Sequence, residues 1–224
     1  MRILVVSFLM FYCHSLTGQE KINIGLHADP VIGWFGTDIN AIKNSGARPG
    51  FTFGLVINTP FSPNYSFSTG INLTSAGGKL ISKDTTILEL SNPEVKLVAV
   101  KPDEVIIYNI QYLSVPIGIK LKTNQIGYLT FFSDVGLDPK VIVGGKVEIP
   151  SLDISGENAI NELKRFNTGY HVKAGIEYGL GGSTAFIIGL GFENNFLDVT
   201  KDNGDQPVDK VTHRIISFRL GIIF

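Results

Sequence analysis

Apolar and polar residues alternate along most of this chain with a period of two, the signature of a strand whose two faces meet different surroundings. In residues 21–29, Ile22, Ile24, Leu26 and Ala28 share one face, and Asn23, Gly25, His27 and Asp29 share the other. In 50–58, Phe51, Phe53, Leu55 and Ile57 oppose Thr52, Gly54, Val56 and Asn58. In 65–74, Tyr65, Phe67, Thr69, Ile71 and Leu73 oppose Ser66, Ser68, Gly70, Asn72 and Thr74. A fourth strand ends the run 106–122, with Leu113, Val115, Ile117, Ile119 and Leu121 on the apolar face and Ser114, Pro116, Gly118 and Lys120 on the other. Pro116 has no N–H to give a ladder and predicts a bulge. Residues 127–137 alternate less cleanly, with Leu129, Phe131, Ser133, Val135 and Leu137 against Thr130, Phe132, Asp134 and Gly136. Three more strands follow at 169–180, 185–195 and 213–224. Their polar faces carry His171, Lys173, Glu177, Glu193, Ser217 and Arg219.

That makes eight strands. The connections alternate in length: 30–49, 75–105, 138–168 and 199–211 are long, and those between are short turns. An even number of antiparallel strands with alternately short and long connections predicts an all-β, eight-stranded transmembrane barrel, its short turns in the periplasm and its long loops outside. Each strand has the roughly 9–11 residues that a tilted membrane strand needs. A soluble ligand-binding barrel would turn its apolar face inward and dot its exterior with lysine and glutamate. Here the polar face is sparse and rich in glycine, which suits a crowded lumen. Aromatic residues gather at strand ends and predict two interfacial girdles: Tyr65, Tyr178, Phe186 and Phe224 on one rim, and Trp34, Tyr112, Tyr170 and Phe196 on the other. Within the second long connection, β-branched pieces of 85–100 flank Ser91-Asn92-Pro93 and predict a projecting hairpin. Residues 159–166 carry only a weak helical period.

Composition sharpens the location. Charged residues make up 17% of the 224, below the roughly 25% of soluble domains. Residues 1–18 have a basic start at Arg2, an apolar run over 3–12 and small residues at Ser15 and Gly18, which predicts a secretory signal peptide with the barrel spanning 19–224. That apolar run is too short for a membrane helix. The single cysteine, Cys13, falls inside the predicted signal peptide, so no disulfide framework is expected. With a net charge of −1 and no basic stripe, nucleic acid is not an expected partner. The expected surroundings are outer-membrane lipid.

The run Tyr112-Leu113-Ser114-Val115-Pro116-Ile117-Gly118-Ile119-Lys120 resembles the Tyr-Leu-x-Ile-Pro strand of the PorT-like outer-membrane β-barrel family of Bacteroidota. Thr168-Gly169-Tyr170, Ile176-Glu177-Tyr178 and the closing strand are similar as well. The resemblance implies the barrel fold, and through the family's founding member it implies type IX protein secretion. Where the family carries an Arg-Tyr pair followed by Gly-Leu, this chain has Gly191-Phe192 and Asn195-Phe196.

The residues able to do chemistry line the predicted lumen: His27, Asp29, Lys120, Asp134, His171, Lys173, Glu177, Glu193 and Arg219. Buried charges must be paired. An eight-stranded interior is just wide enough for side chains to fill. The set therefore reads as an ion-pair plug in a closed barrel, with no catalytic residue, metal or cofactor. The alternative is a lipid-modifying enzyme using His27 or His213 with Asp29 and Ser217. A metal at His27, Asp29 and His171 has no recognisable ligand spacing, and 201–205 resembles a calcium loop only in its acidic residues. Task is then expected on the loops. The hairpin residues Ile87, Leu88, Val95, Leu97 and Val98 suit a protein partner in an outer-membrane assembly, with strand addition as the means.

Overall fold

A computed structural model of the chain describes residues 22–38, 41–91, 97–201 and 210–224. The predicted signal peptide lies outside these residues. The elements in chain order are β1 (Asn23–Thr37), β2 (Ile42–Ser62), β3 (Tyr65–Ser82), β4 (Thr86–Glu89), β5 (Leu97–Val100), β6 (Val105–Ser114), β7 (Ile117–Lys122), β8 (Leu129–Leu137), β9 (Lys140–Ile149), β10 (Ile154–Asn158), β11 (Phe166–Asn167), β12 (Gly169–Gly181), β13 (Thr184–Asn195) and β14 (Val211–Ile223). A ring of eight antiparallel strands closes through β1, β2, β3, β7, β8, β12, β13 and β14, with β14 pairing back onto β1.

The ring continues upward as a second storey. There β6 replaces β7 against β3, and β9 replaces β8 against β6. The handover falls at a matched pair of prolines. Ile117 pairs with Leu137 below it and Ser114 with Lys140 above it, and the Val115 N–H reaches the Pro139 carbonyl at 3.0 Å. Neither Pro116 nor Pro139 can donate a ladder hydrogen bond, so the ladder breaks at one level on both strands. On the open side of β9, β11 pairs with Val141 and Lys140. Leu163 then bridges to Thr200 and carries the wall round to the last strands.

Two of the predicted long loops are therefore largely strand. β1 runs to Thr37 and β2 starts at Ile42, so most of 30–49 is a paired hairpin arm rather than a connection. Within 138–168, β9, β10 and β11 occupy much of the length, and the weak helical period leaves only a 3-10 turn at Ile160–Glu162. In both, the apolar outward alternation runs only as far as Ile32 and Trp34 or Val141 and Val143 before turning polar, which is why they read as loops.

At the opposite end the turns are tight. Gly181 and Gly182 adopt φ of 114° and 62°, a left-handed path that glycine takes without strain. Around the ring, Ile24, Leu26, Phe53, Phe67, Ile71, Leu73, Ile117, Ile119, Phe131, Val135, Leu190, Ile216 and Phe218 are exposed and point outward. A continuous apolar belt of this size would be unstable in water and is what hydrocarbon requires.

Candidate functional site: a sealed lumen beneath an extracellular head

The lumen is filled in layers. Nearest the short turns, Val56, Phe132, Ile187 and Ile223 form an apolar plug. Lys120 lies with its ammonium 4.5 Å above the Phe132 ring and 2.6 Å from Glu177, whose other oxygen holds Lys122 at 2.7 Å. The second layer centres on Asp29. Its Oδ2 accepts Arg219 Nε and Nη2, each at 3.3 Å, and lies 2.9 Å from His27 Nδ1. His27 Nε2 is 3.1 Å from Asn72 Oδ1. The ring fits because residue 54 is glycine: a Cβ there would stand 2.5 Å from His27 Nε2 and 2.2 Å from Asn72 Oδ1.

Across the lumen, His171 bridges two carboxylates. Its Nε2 is 3.2 Å from Asp134 and its Nδ1 is 3.0 Å from Asp138, while Ser68 donates to Asp134 at 2.9 Å. Above these, Glu193 meets Lys140 at 3.3 Å and Lys173 at 4.0 Å. At the top, Tyr112 Oη lies 2.8 Å from His213 Nδ1, and His213 Nε2 is 3.4 Å from the Gly77 carbonyl. In this low-dielectric interior each charge meets an opposite charge, which is the condition for keeping it there.

All nine lumen residues singled out from the sequence thus point inward, and all are buried except the half-buried Glu193. Sequence reading missed Lys122, Asp138, Lys140 and Asn72. Asp138 and Lys140 were placed in a loop, yet the alternation 134, 136, 138, 140 carried across Pro139 would have found them. Tyr112 needs correcting. It is not a girdle residue: it points inward, 1% exposed, with His213 as its partner. The other upper aromatics do cluster, with Tyr170 edge-on to Phe192 at 6.2 Å and tilted against Phe196 at 5.6 Å, and Trp34 6.4 Å from Phe192. On the lower rim Tyr178 sits 5.8 Å from Tyr128 and Tyr65 is 6.2 Å from Phe61, with Phe186 and Phe224 exposed nearby.

Above the lumen the interior changes character. Phe35, Leu80, Leu88, Leu90, Val98, Val100, Ile106, Tyr108, Ile110, Ile142, Val147, Ile149, Leu163, Val199 and Val211 make one apolar core. The β4–β5 hairpin caps it. This corrects the predicted partner face of the hairpin. Leu88 and Val98 are buried in the core, Ile87 and Leu97 are exposed, and Val95 lies outside the described residues. One edge of the hairpin is tied down: the Glu89 N–H donates to Glu162 Oε1 and the Ser91 N–H to the Asn158 carbonyl. Since these β4 groups point away from β5, the alternation of an antiparallel pair places the backbone groups of Leu97 and Ala99 on the opposite edge. Among the described residues nothing pairs with that edge.

A closed ring with an apolar belt, tight turns at one end and an elaborated head at the other decides the family. Residues 18–212 match the family described as outer membrane protein beta-barrel domain. The chain belongs to that family. It is an outer-membrane barrel that contacts lipid through its belt. No curated protein matches it. Among solved structures it is similar to Neisserial surface protein A, NspA, with TM-score 0.51 and 11% identity over 91% of this chain and 98% of that one. It is also similar to OprG from Pseudomonas aeruginosa, with TM-score 0.46 and 11% identity over 92% and 97%. For the outer membrane protease OmpT from Escherichia coli the TM-score is 0.48, with 7% identity over 94% and 99%. These likenesses concern the fold alone. Among the described residues, no cluster of three or more His, Cys, Asp or Glu side chains is arranged to hold a metal ion.

Proposed function

We propose that this barrel is a PorT-like protein of Bacteroidota that serves as a partner-binding, accessory component of an outer-membrane assembly linked to type IX-type protein secretion. The observation that carries the partner-binding role is the β4–β5 hairpin, anchored by one edge and presenting the other beside the exposed apolar side chains of Ile87 and Leu97. A strand of a second protein can extend such an edge through main-chain hydrogen bonds, with the two side chains giving specificity. A non-catalytic role is favoured because the lumen histidines are engaged by carboxylates, Asn72 and Arg219, while the Tyr112–His213 pair is buried at the base of the head core. The family resemblance supplies the secretion link.

The test uses intact protein in native membranes with a photocrosslinking amino acid at Ala99. The expected result is one dominant crosslinked partner belonging to the secretion machinery. That crosslink should vanish when Ile87 and Leu97 are both replaced by lysine, while heat-modifiable mobility stays unchanged. An unchanged crosslink in the double variant overturns the hairpin as the docking edge, and a partner outside secretion overturns the pathway.

A further inference from the structure

The barrel is not sealed evenly round its belt. β1 pairs with β2 without interruption from Asn23 to Gly33, and β13 pairs with β14 without interruption from Ala185 to Asn194. Between β1 and β14, however, pairing runs over Gly25–His27 and resumes at Val31, with no pairs at Ala28, Asp29 and Pro30. The register is the same on both sides, so the ladder is interrupted there rather than slipped.

The cause lies in the sequence. The Phe224 N–H bonds the Ile24 carbonyl at 2.8 Å, and the alternation of an antiparallel ladder puts the next such pairs at Leu26, Ala28 and Pro30. Pro30 has no N–H to give. The Leu220 N–H, due to the Ala28 pair, donates instead to Asp29 Oδ1 at 3.3 Å. A lumen carboxylate, itself held by Arg219, stitches the seam from inside. Unsatisfied backbone groups facing hydrocarbon are costly, so this internal substitute lets an interrupted ladder persist in a membrane.

On the lipid side, beside this break in the ladder, lies an open recess of about 360 Å³ lined by Leu26, Ala28, Phe53, Phe186, Leu220 and Ile222. Its floor is the Gly221 backbone beside His27. It lies toward the short-turn end of the belt, close to the chain terminus at Phe224. We propose that this seam is a binding site for one acyl chain of a phospholipid from the periplasm-facing leaflet. The occupant follows from position and chemistry: the recess opens sideways within the apolar belt, its wall is almost wholly apolar, and hydrocarbon chains are what reach it at that depth. An acyl chain laid in the recess gains packing contacts with these side chains.

The experiment reconstitutes the full barrel in vesicles of phosphatidylethanolamine and phosphatidylglycerol, with a trace of phosphatidylethanolamine bearing a mid-chain diazirine. After photolysis, adducts are mapped by peptide. Adducts at 26–28 and 218–222 should exceed those at the equally lipid-facing Ile71 and Ile119 several-fold. The excess should disappear in Ala28→Trp, which fills the recess, and in Pro30→Ala, which returns an N–H to the ladder. Heat-modifiable mobility identifies variants that fold, and the two substitutions act by different means, so one misfolding leaves the other decisive. Equal adduct yields round the belt mean ordinary annular lipid and overturn the site. So does an excess that survives both substitutions.

Discussion

The membrane storey and the head are built by the same strands with opposite chemistry. Along β3, the inward side chains run Ser66, Ser68, Asn72 and Thr74, then change to Ala76 and Leu80; outward, Phe67, Ile71 and Leu73 give way to Ser75 and Lys79. Along β6 and β7, inward Ile106, Tyr108, Ile110 and Tyr112 change to Ser114 and Lys120, while outward Asn109 and Gln111 change to Leu113, Ile117 and Ile119. Along these strands the parity of the pleat is kept, so the two faces exchange roles because the solvent outside changes from hydrocarbon to water. Below the exchange, polar groups are held in place by pairing with one another. Above it, burial of apolar surface does the work.

The largest expected effect is in the lumen. Arg219→Ala leaves Asp29 without its guanidinium, and removing one partner of a buried pair costs about 3–5 kcal/mol. Urea unfolding of the barrel in liposomes should show a fall of that order over the whole molecule. An unchanged midpoint would mean the lumen pairs carry no stability. Next is the head. Ile110 is wholly buried, and Ile110→Ala should cost about 2–5 kcal/mol. The expected consequence is faster proteolysis of the segments above the membrane with heat-modifiable mobility retained. Simultaneous loss of both would show that the storeys are one cooperative unit.

Tyr112→Phe acts at the junction. It removes the hydroxyl that meets His213 and should cost about 1–3 kcal/mol. The double variant Tyr112→Phe/Ile110→Ala should exceed the sum of the singles if the junction couples the storeys. The smallest effect is electrical. The filled lumen should give no steady conductance in planar-bilayer recordings, for the wild type and for Tyr112→Phe alike; stable channels would contradict the layered plug.

The membrane storey was legible in the sequence because one rule, alternation with an apolar exterior, held along each strand. Phe51, Phe53, Leu55 and Ile57 announce β2 only within hydrocarbon. Further up, the exposed positions of the same strand carry Lys43, Asn44 and Pro49, and a reader looking for lipid-facing residues stops at Gly50. Tyr112 was misplaced for the same reason. An aromatic residue at a strand end was taken for a rim anchor, although the parity shared with Ser114 and Lys120 pointed it inward. The hairpin was visible as two β-branched pieces. Which of its faces meets the core depends on what lies beneath, and strand parity alone does not reveal that. The break in the β1–β14 ladder was unreadable for a further reason: it depends on a register that sets Pro30 opposite Phe218, nearly the full length of the chain away.

Arg214 faces outward one step above Ile216, level with Trp34 on β1. Sinking the barrel deeper would carry that guanidinium into hydrocarbon, where at mid-depth an arginine costs about 2–4 kcal/mol. Raising it would lift Ile32 and Ile216 into water. The molecule therefore has a fixed waterline, and everything mounted above it, the β5 edge of the hairpin included, stands at a constant height over the membrane surface. Any second protein reaching for that edge from the same membrane meets it at a set altitude, so the geometry of approach is settled before contact is made.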